Sequence, residues 1–177
     1  MQEGFSKLNQ THLSTLKEEG ILVFPDFISK QTINLIKKET SPWLKKAGFN
    51  NRTSSLIMGN NQWIEHLGMC SLAALKFALD DKFINFLEDY FETSITLGSF
   101  SLQRKIFPEE GIRLHREIGE GLNVFLYLTN PSEKTGVTEF VKKSHNTEIE
   151  ESYVLKNKVD DAIYIDLEKS PFKSKPL

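Results

Sequence analysis

The residues best suited to chemistry stand close together in Ile112-Arg113-Leu114-His115-Arg116-Glu117. Apolar and polar residues alternate here, and on a β-strand side chains two positions apart project from the same face. His115 and Glu117 therefore point together. An imidazole and a carboxylate set this way on a stiff strand suit two adjacent positions around a non-haem iron, and they make up two of the three ligands of a two-histidine, one-carboxylate facial triad. The third ligand has to come from another part of the chain. His-x-Glu on its own is a weak signal, because the more ordinary reading of such a strand is a solvated polar face.

The remaining residues of these types read more plainly. His145 is the last imidazole in the chain, and its place after Ser144 reads as a turn histidine bonded to backbone. His12 on a first helix and His66 near a loop end read as exposed polar residues. Cys70, the single cysteine, reads as a small core residue and excludes both an intrachain disulfide framework and a cysteine-built zinc site. Lys37-Lys38-Glu39 and Lys142-Lys143 read as solvated faces. Phe83, Phe86, Tyr90 and Phe91 recur at helical spacing and read as core rather than as a cofactor box. Trp43 and Trp63 flank a loop region and are large enough to line a substrate opening, a reading that rests on size alone.

The elements that must position these residues change character along the chain. Leu13, Leu16 and a closing Gly20 predict a helix over 11–19. Ile21-Leu22-Val23-Phe24-Pro25 predicts a brief buried strand ended by its proline. Ser29 can cap a helix through Ile33, Leu35 and Ile36 toward Leu44, with Pro42 predicting a break near Ser41. Residues 48–68 read as a long loop. Leu72, Leu75, Leu79, Phe83, Phe86, Leu87 and Tyr90 predict an amphipathic helical region with a joint at Asp80-Asp81. From residue 95 onward the short runs 95–107, 112–117, 122–129, 137–141 and 162–167 are of β type, with turn sequences at 108–111 and 130–136.

The order of these segments is similar to that of a known family. Glu19-Gly20-Ile21-Leu22-Val23-Phe24-Pro25-Asp26-Phe27 is followed by helices, then by Leu114-His115-Arg116-Glu117-Ile118-Gly119 and Phe125-Leu126-Tyr127-Leu128-Thr129. The series ends with Thr135-Gly136-Val137-Thr138-Glu139-Phe140-Val141-Lys142-Lys143-Ser144-His145. Almost the whole chain thus resembles the phytanoyl-CoA dioxygenase family of Fe(II)- and 2-oxoglutarate-dependent oxygenases. The resemblance implies an α+β fold with a mostly β core, a double-stranded β-helix of jelly-roll or cupin type with N-terminal helices packed on it. It implies one domain over 1–177, mainly helical in 1–92 and β-helical in 93–169, with a tail at 170–177. His115 and Glu117 would be iron ligands, Gln103 on the preceding strand would contact 2-oxoglutarate, and the product would be a hydroxylated small-molecule or acyl-type substrate.

Two positions depart from the family pattern. Glu117 stands where the family usually has Asp, so its carboxylate reaches one methylene further and the strand or rotamer must adjust. The family's distal histidine, and the arginine that grips the far carboxylate of 2-oxoglutarate, follow a Gly-Asp strand. No histidine occurs after His145. Asp160-Asp161-Ala162-Ile163-Tyr164-Ile165-Asp166-Leu167 reads as the strand leading toward that turn, and Ser170 to Leu177 as a polar tail. The expectation is a chain cut short before its barrel closes, or else a non-catalytic member of the same fold that binds a metabolite or partner. A poorly folding gene fragment is the third possibility.

Composition narrows the function classes. The chain has 177 residues, 39% of them hydrophobic and 26% charged, which suits one globular domain with a sizeable core. Lys and Arg number 22 against 24 acidic residues, a formal net charge of -2, and they are scattered, so nucleic acid is not an expected partner. Charged or amide side chains interrupt every hydrophobic run and Met1 to Gln10 lacks a secretory pattern, so no membrane span is expected and a cytoplasmic location is the simplest inference.

Overall fold

Among the described residues, four helices start at a side chain that accepts from a backbone amide of the first turn. In the computed structural model, which describes residues 4–46, 50–51, 60–105, 114–117, 120–130, 138–149, 162–164, 170–171 and 175–176, a 3₁₀ turn at Gly4–Lys7 precedes α1, Gln10–Glu19. Asn9 caps α1 by accepting from the His12 amide, and Gly20 closes it at φ 74°, a left-handed conformation that costs glycine nothing. Ser29 accepts from the Thr32 amide at 3.1 Å and opens α2, Lys30–Lys46. Ser71 opens α4, Leu72–Ala78, and Asp80 opens α5, Asp81–Phe91, so the joint expected at Asp80-Asp81 is present.

The chain divides into two units, residues 1–50 with 61–104 and residues 51–60 with 105–177. In the first unit, α2 packs on α4, and α1 on α5. Ile36 and Thr40 of α2 are almost fully buried, and an aromatic cluster joins Phe5, Phe24, Phe27, Phe77 and Phe83 at ring-centroid distances of 5.0 to 6.2 Å. Of the four aromatic residues read as core, Phe86 is buried while Phe83, Tyr90 and Phe91 are half-buried, and Tyr90 meets Phe91 edge-on. Gly4 is required by close approach: its amide donates to the Phe27 carbonyl at 2.7 Å, and a Cβ would stand 2.7 Å from that oxygen.

Strands β1 (Asn50–Asn51), β2 (Asn60–Ile64) and β3 (Leu102–Lys105) form a three-stranded sheet in that order. A short helix α3, Leu67–Cys70, follows β2. Buried Gln62 of β2 donates to the Leu44 carbonyl at 2.9 Å and accepts from Arg104 at 3.4 Å, tying the sheet to the end of α2. In the second unit β4 (His115–Glu117) pairs antiparallel with β6 (Ala162–Tyr164), and β5 (Glu139–Phe140) with β7 (Lys175–Pro176). A 3₁₀ turn occupies Ser144–Asn146. The fold is thus mixed helix and strand with an open sheet. No helix among the described residues is long and apolar enough to cross a membrane.

Several local expectations are corrected. Ile21 to Pro25 forms no strand: Phe24 turns into the aromatic cluster, Val23 is exposed and Asp26 adopts φ 51°, so side-chain packing overrides β propensity. The helix does not break at Pro42 but runs to Lys46, anchored by buried Ile36 and Thr40, whose hydroxyl donates to the Ile36 carbonyl at 2.8 Å. The expected loop over 48–68 contains β2 and the start of α3. Leu122 to Thr129 forms no strand, and among the described residues of the run expected over 95–107 the strand covers 102–105. The turns expected at 108–111 and 131–136, and residues 112–113, 137 and 165–169, lie outside the described residues.

Candidate metal-binding pair

Antiparallel pairing with β6 fixes the register of β4, with His115 opposite Tyr164, Arg116 opposite Ile163 and Glu117 opposite Ala162. Period-two alternation then places His115 and Glu117 on one face and Arg116 on the other. Arg116 uses its side to donate from Nη1 to the Thr147 carbonyl at 2.6 Å, a charge-assisted bond that ties β4 to the segment after the Ser144–Asn146 turn. On the opposite face the expected pair has formed, with His115 Nε2 3.2 Å from Glu117 Oε1. The side chains are 28% and 56% exposed respectively, so an ion can reach both donors from solvent.

That distance bears directly on metal binding. Two ligand atoms at about 2.1 Å from an ion and at right angles to one another lie roughly 3.0 Å apart. The two donors are therefore already spaced as neighbouring ligands. No group of three histidine, cysteine, aspartate or glutamate side chains converges to hold an ion among the described residues. The described residues offer an ion a pair of neighbouring donors, without a third among them. The longer reach of Glu117 is accommodated on β4 without loss of the shared face.

Gln103 is half-buried on β3 in the first unit, whereas His115 and Glu117 belong to the second. His145 lies in the Ser144–Asn146 3₁₀ turn, as its turn reading predicts. His66 is exposed, at φ 56° ahead of α3. His12 corrects its expectation: it is half-buried, its ring 5.0 Å from that of Phe24, because α1 turns this side toward the aromatic cluster. Cys70 is likewise half-buried rather than core, because it sits at the end of the short helix α3 and lines a surface pocket. A link that sequence reasoning missed joins Tyr127, whose hydroxyl donates to the Thr138 hydroxyl and accepts from the Thr138 amide at 3.3 Å. Two non-adjacent polar residues in irregular segments carry no periodic signal that would reveal such a link.

No family model, curated protein or solved structure matches the chain.

Proposed function

We propose that this chain is an Fe(II)- and 2-oxoglutarate-dependent dioxygenase of the phytanoyl-CoA dioxygenase type, with His115 and Glu117 as two of its iron ligands. The observation that carries this reading is the 3.2 Å approach of His115 Nε2 to Glu117 Oε1 from one face of a strand. Antiparallel pairing between strands distant in sequence, β4 with β6 and β5 with β7, supports a double-stranded β-helix around that pair. A cytoplasmic location belongs to the same reading and is supported by the single cysteine.

When bound, iron and 2-oxoglutarate would supply hydroxylation of a C–H bond with release of succinate and carbon dioxide. The contribution of the chain is positional. The β4 backbone holds the imidazole and the carboxylate side by side, so little side-chain freedom is lost when both engage one ion. The Arg116 bond to Thr147 resists rotation of the strand that would part them. A small-molecule or acyl-type substrate would be oriented beside the metal.

Iron(II) titrated anaerobically with 2-oxoglutarate tests the proposal. The wild-type protein is expected to develop the weak visible absorption of the chelate, and His115→Ala to lose it. A folded wild-type protein that develops no such absorption would contradict catalysis by this chain. It would favour a non-catalytic binding protein of the same fold, a second reading that the missing third donor among the described residues supports.

A further inference from the structure

The end of α2 and the β2–α3 corner, all within the first unit, border an open surface pocket of about 410 Å³. Trp43, Lys46, Trp63, Ile64, Met69 and Cys70 form most of its lining. A volume of this size falls within the range of small-molecule sites. Both tryptophans of the chain face it. Indoles on two separate elements offer aromatic surface to a flat ring, through offset or edge-on contacts with its π system. Met69 is 85% exposed, a long apolar side chain held in solvent at the rim where it can fold over a bound molecule.

The charge at the pocket narrows the ligand class. The Lys46 ammonium lies 5.5 Å from the centre of the Trp43 ring and forms no ion pair among the described residues. Glu65 is the acidic residue of the lining, and it already has an interaction of its own. His66 completes the lining from its left-handed position ahead of α3. Among the described residues the cation is thus held beside an aromatic surface without an ion-pair partner.

We propose that this pocket binds small planar aromatic carboxylates, with the ring against the indoles that line it and the carboxylate on Lys46. The site takes no part in the His115/Glu117 reading and requires no metal, so either can fail without the other. The probe is 2-naphthoate, titrated into the full chain while the two indole N–H cross-peaks are followed by nitrogen-15 NMR. Because the chain has two tryptophans and both line the pocket, each indole signal reports on this site.

Both signals are expected to shift saturably, with a Kd on the order of 1 mM or tighter for a ligand of about 13 heavy atoms. Lys46→Met is expected to weaken 2-naphthoate about three- to fivefold, the scale of a solvent-exposed charge pair. The same variant should leave the neutral analogue 2-naphthylmethanol unchanged, and Lys46→Arg should retain the wild-type affinity. Lys46 is an exposed residue in the last turn of α2, so these variants keep the fold, which the unchanged remainder of the spectrum verifies. Indole signals that do not move, or carboxylate and alcohol affected equally by Lys46→Met, would overturn the proposal.

Discussion

The two units hold their functional side chains by different means. In the first, helix caps and a continuous core act together: every buried apolar side chain among the described residues, from Phe5 to Leu102, belongs to it. In the second, the candidate metal pair is held by a three-residue antiparallel pairing and one arginine-to-carbonyl bond. Hydrophobic burial is the larger stabilising term, at about 25 cal/mol per Å² of apolar surface, whereas a single hydrogen bond nets about 1 kcal/mol. The first unit is thus specified by its core, and the β4 pair by backbone register.

The largest expected difference is in hydrogen exchange. Amides in the middle of α2, around Ile36, should exchange at least about 100-fold more slowly than those of His115–Glu117, since protection follows the local free energy of opening. Equal protection would break the contrast. Next in size, Ile36→Ala should lower stability by about 2–5 kcal/mol in chemical denaturation, because Ile36 is 1% exposed and its removal leaves a cavity.

Glu39 sharpens the comparison through pH. Its carboxylate accepts from the Ser71 hydroxyl at 2.6 Å and the Ala73 amide at 3.1 Å, joining α2 to the start of α4. The Ser71 hydroxyl first, then the Ala73 amide, hold its pKa below the ordinary value of 4.5. A carboxylate with a depressed folded pKa contributes stability fully above its unfolded pKa and loses that contribution as pH falls through the folded one. Glu39→Gln should therefore cost about 1 kcal/mol at neutral pH, the scale of a lost helix cap, and the cost should vanish in acid below the folded pKa. A pH-independent difference between the two proteins would contradict this assignment.

Smaller effects follow. Gly20→Ala forces a β-carbon into the left-handed region at φ 74° and should cost about 1 kcal/mol, read as a shift in denaturation midpoint. Lys17 and Glu92 approach to 2.7 Å on the surface, and Glu92→Gln should leave the midpoint unchanged within error because both ends stand in water.

Much of the first unit was legible in the sequence because its signals are local. Leu13, Leu16 and Gly20 mark α1, Ser29 starts α2, and Asp80-Asp81 separates α4 from α5. What local signals missed was decided by tertiary packing. Phe24 joins an aromatic cluster built from four other segments, and Pro42 is carried by a helix anchored through Ile36 and Thr40. Asn60–Ile64 is a strand because it pairs between β1 and β3, and the Gln62 side chain adds bonds to Leu44 and Arg104, 18 and 42 residues away in sequence. The candidate pair was legible because alternation on a strand is itself a local rule, so His115 and Glu117 were expected to share a face and do. A third ligand distant in sequence has no such rule, and the described residues do not supply one.

The pairing of His115 and Glu117 as metal ligands is tested most directly with manganese(II), an air-stable divalent stand-in for iron(II). The paramagnetic resonance signal of the free ion is followed as the protein is added. The wild-type chain should remove about one equivalent of free signal, and His115→Ala and Glu117→Ala should each bind at least about tenfold more weakly. Binding of equal strength in all three proteins, or none by the folded wild type, would contradict the assignment of this strand as the metal-binding element.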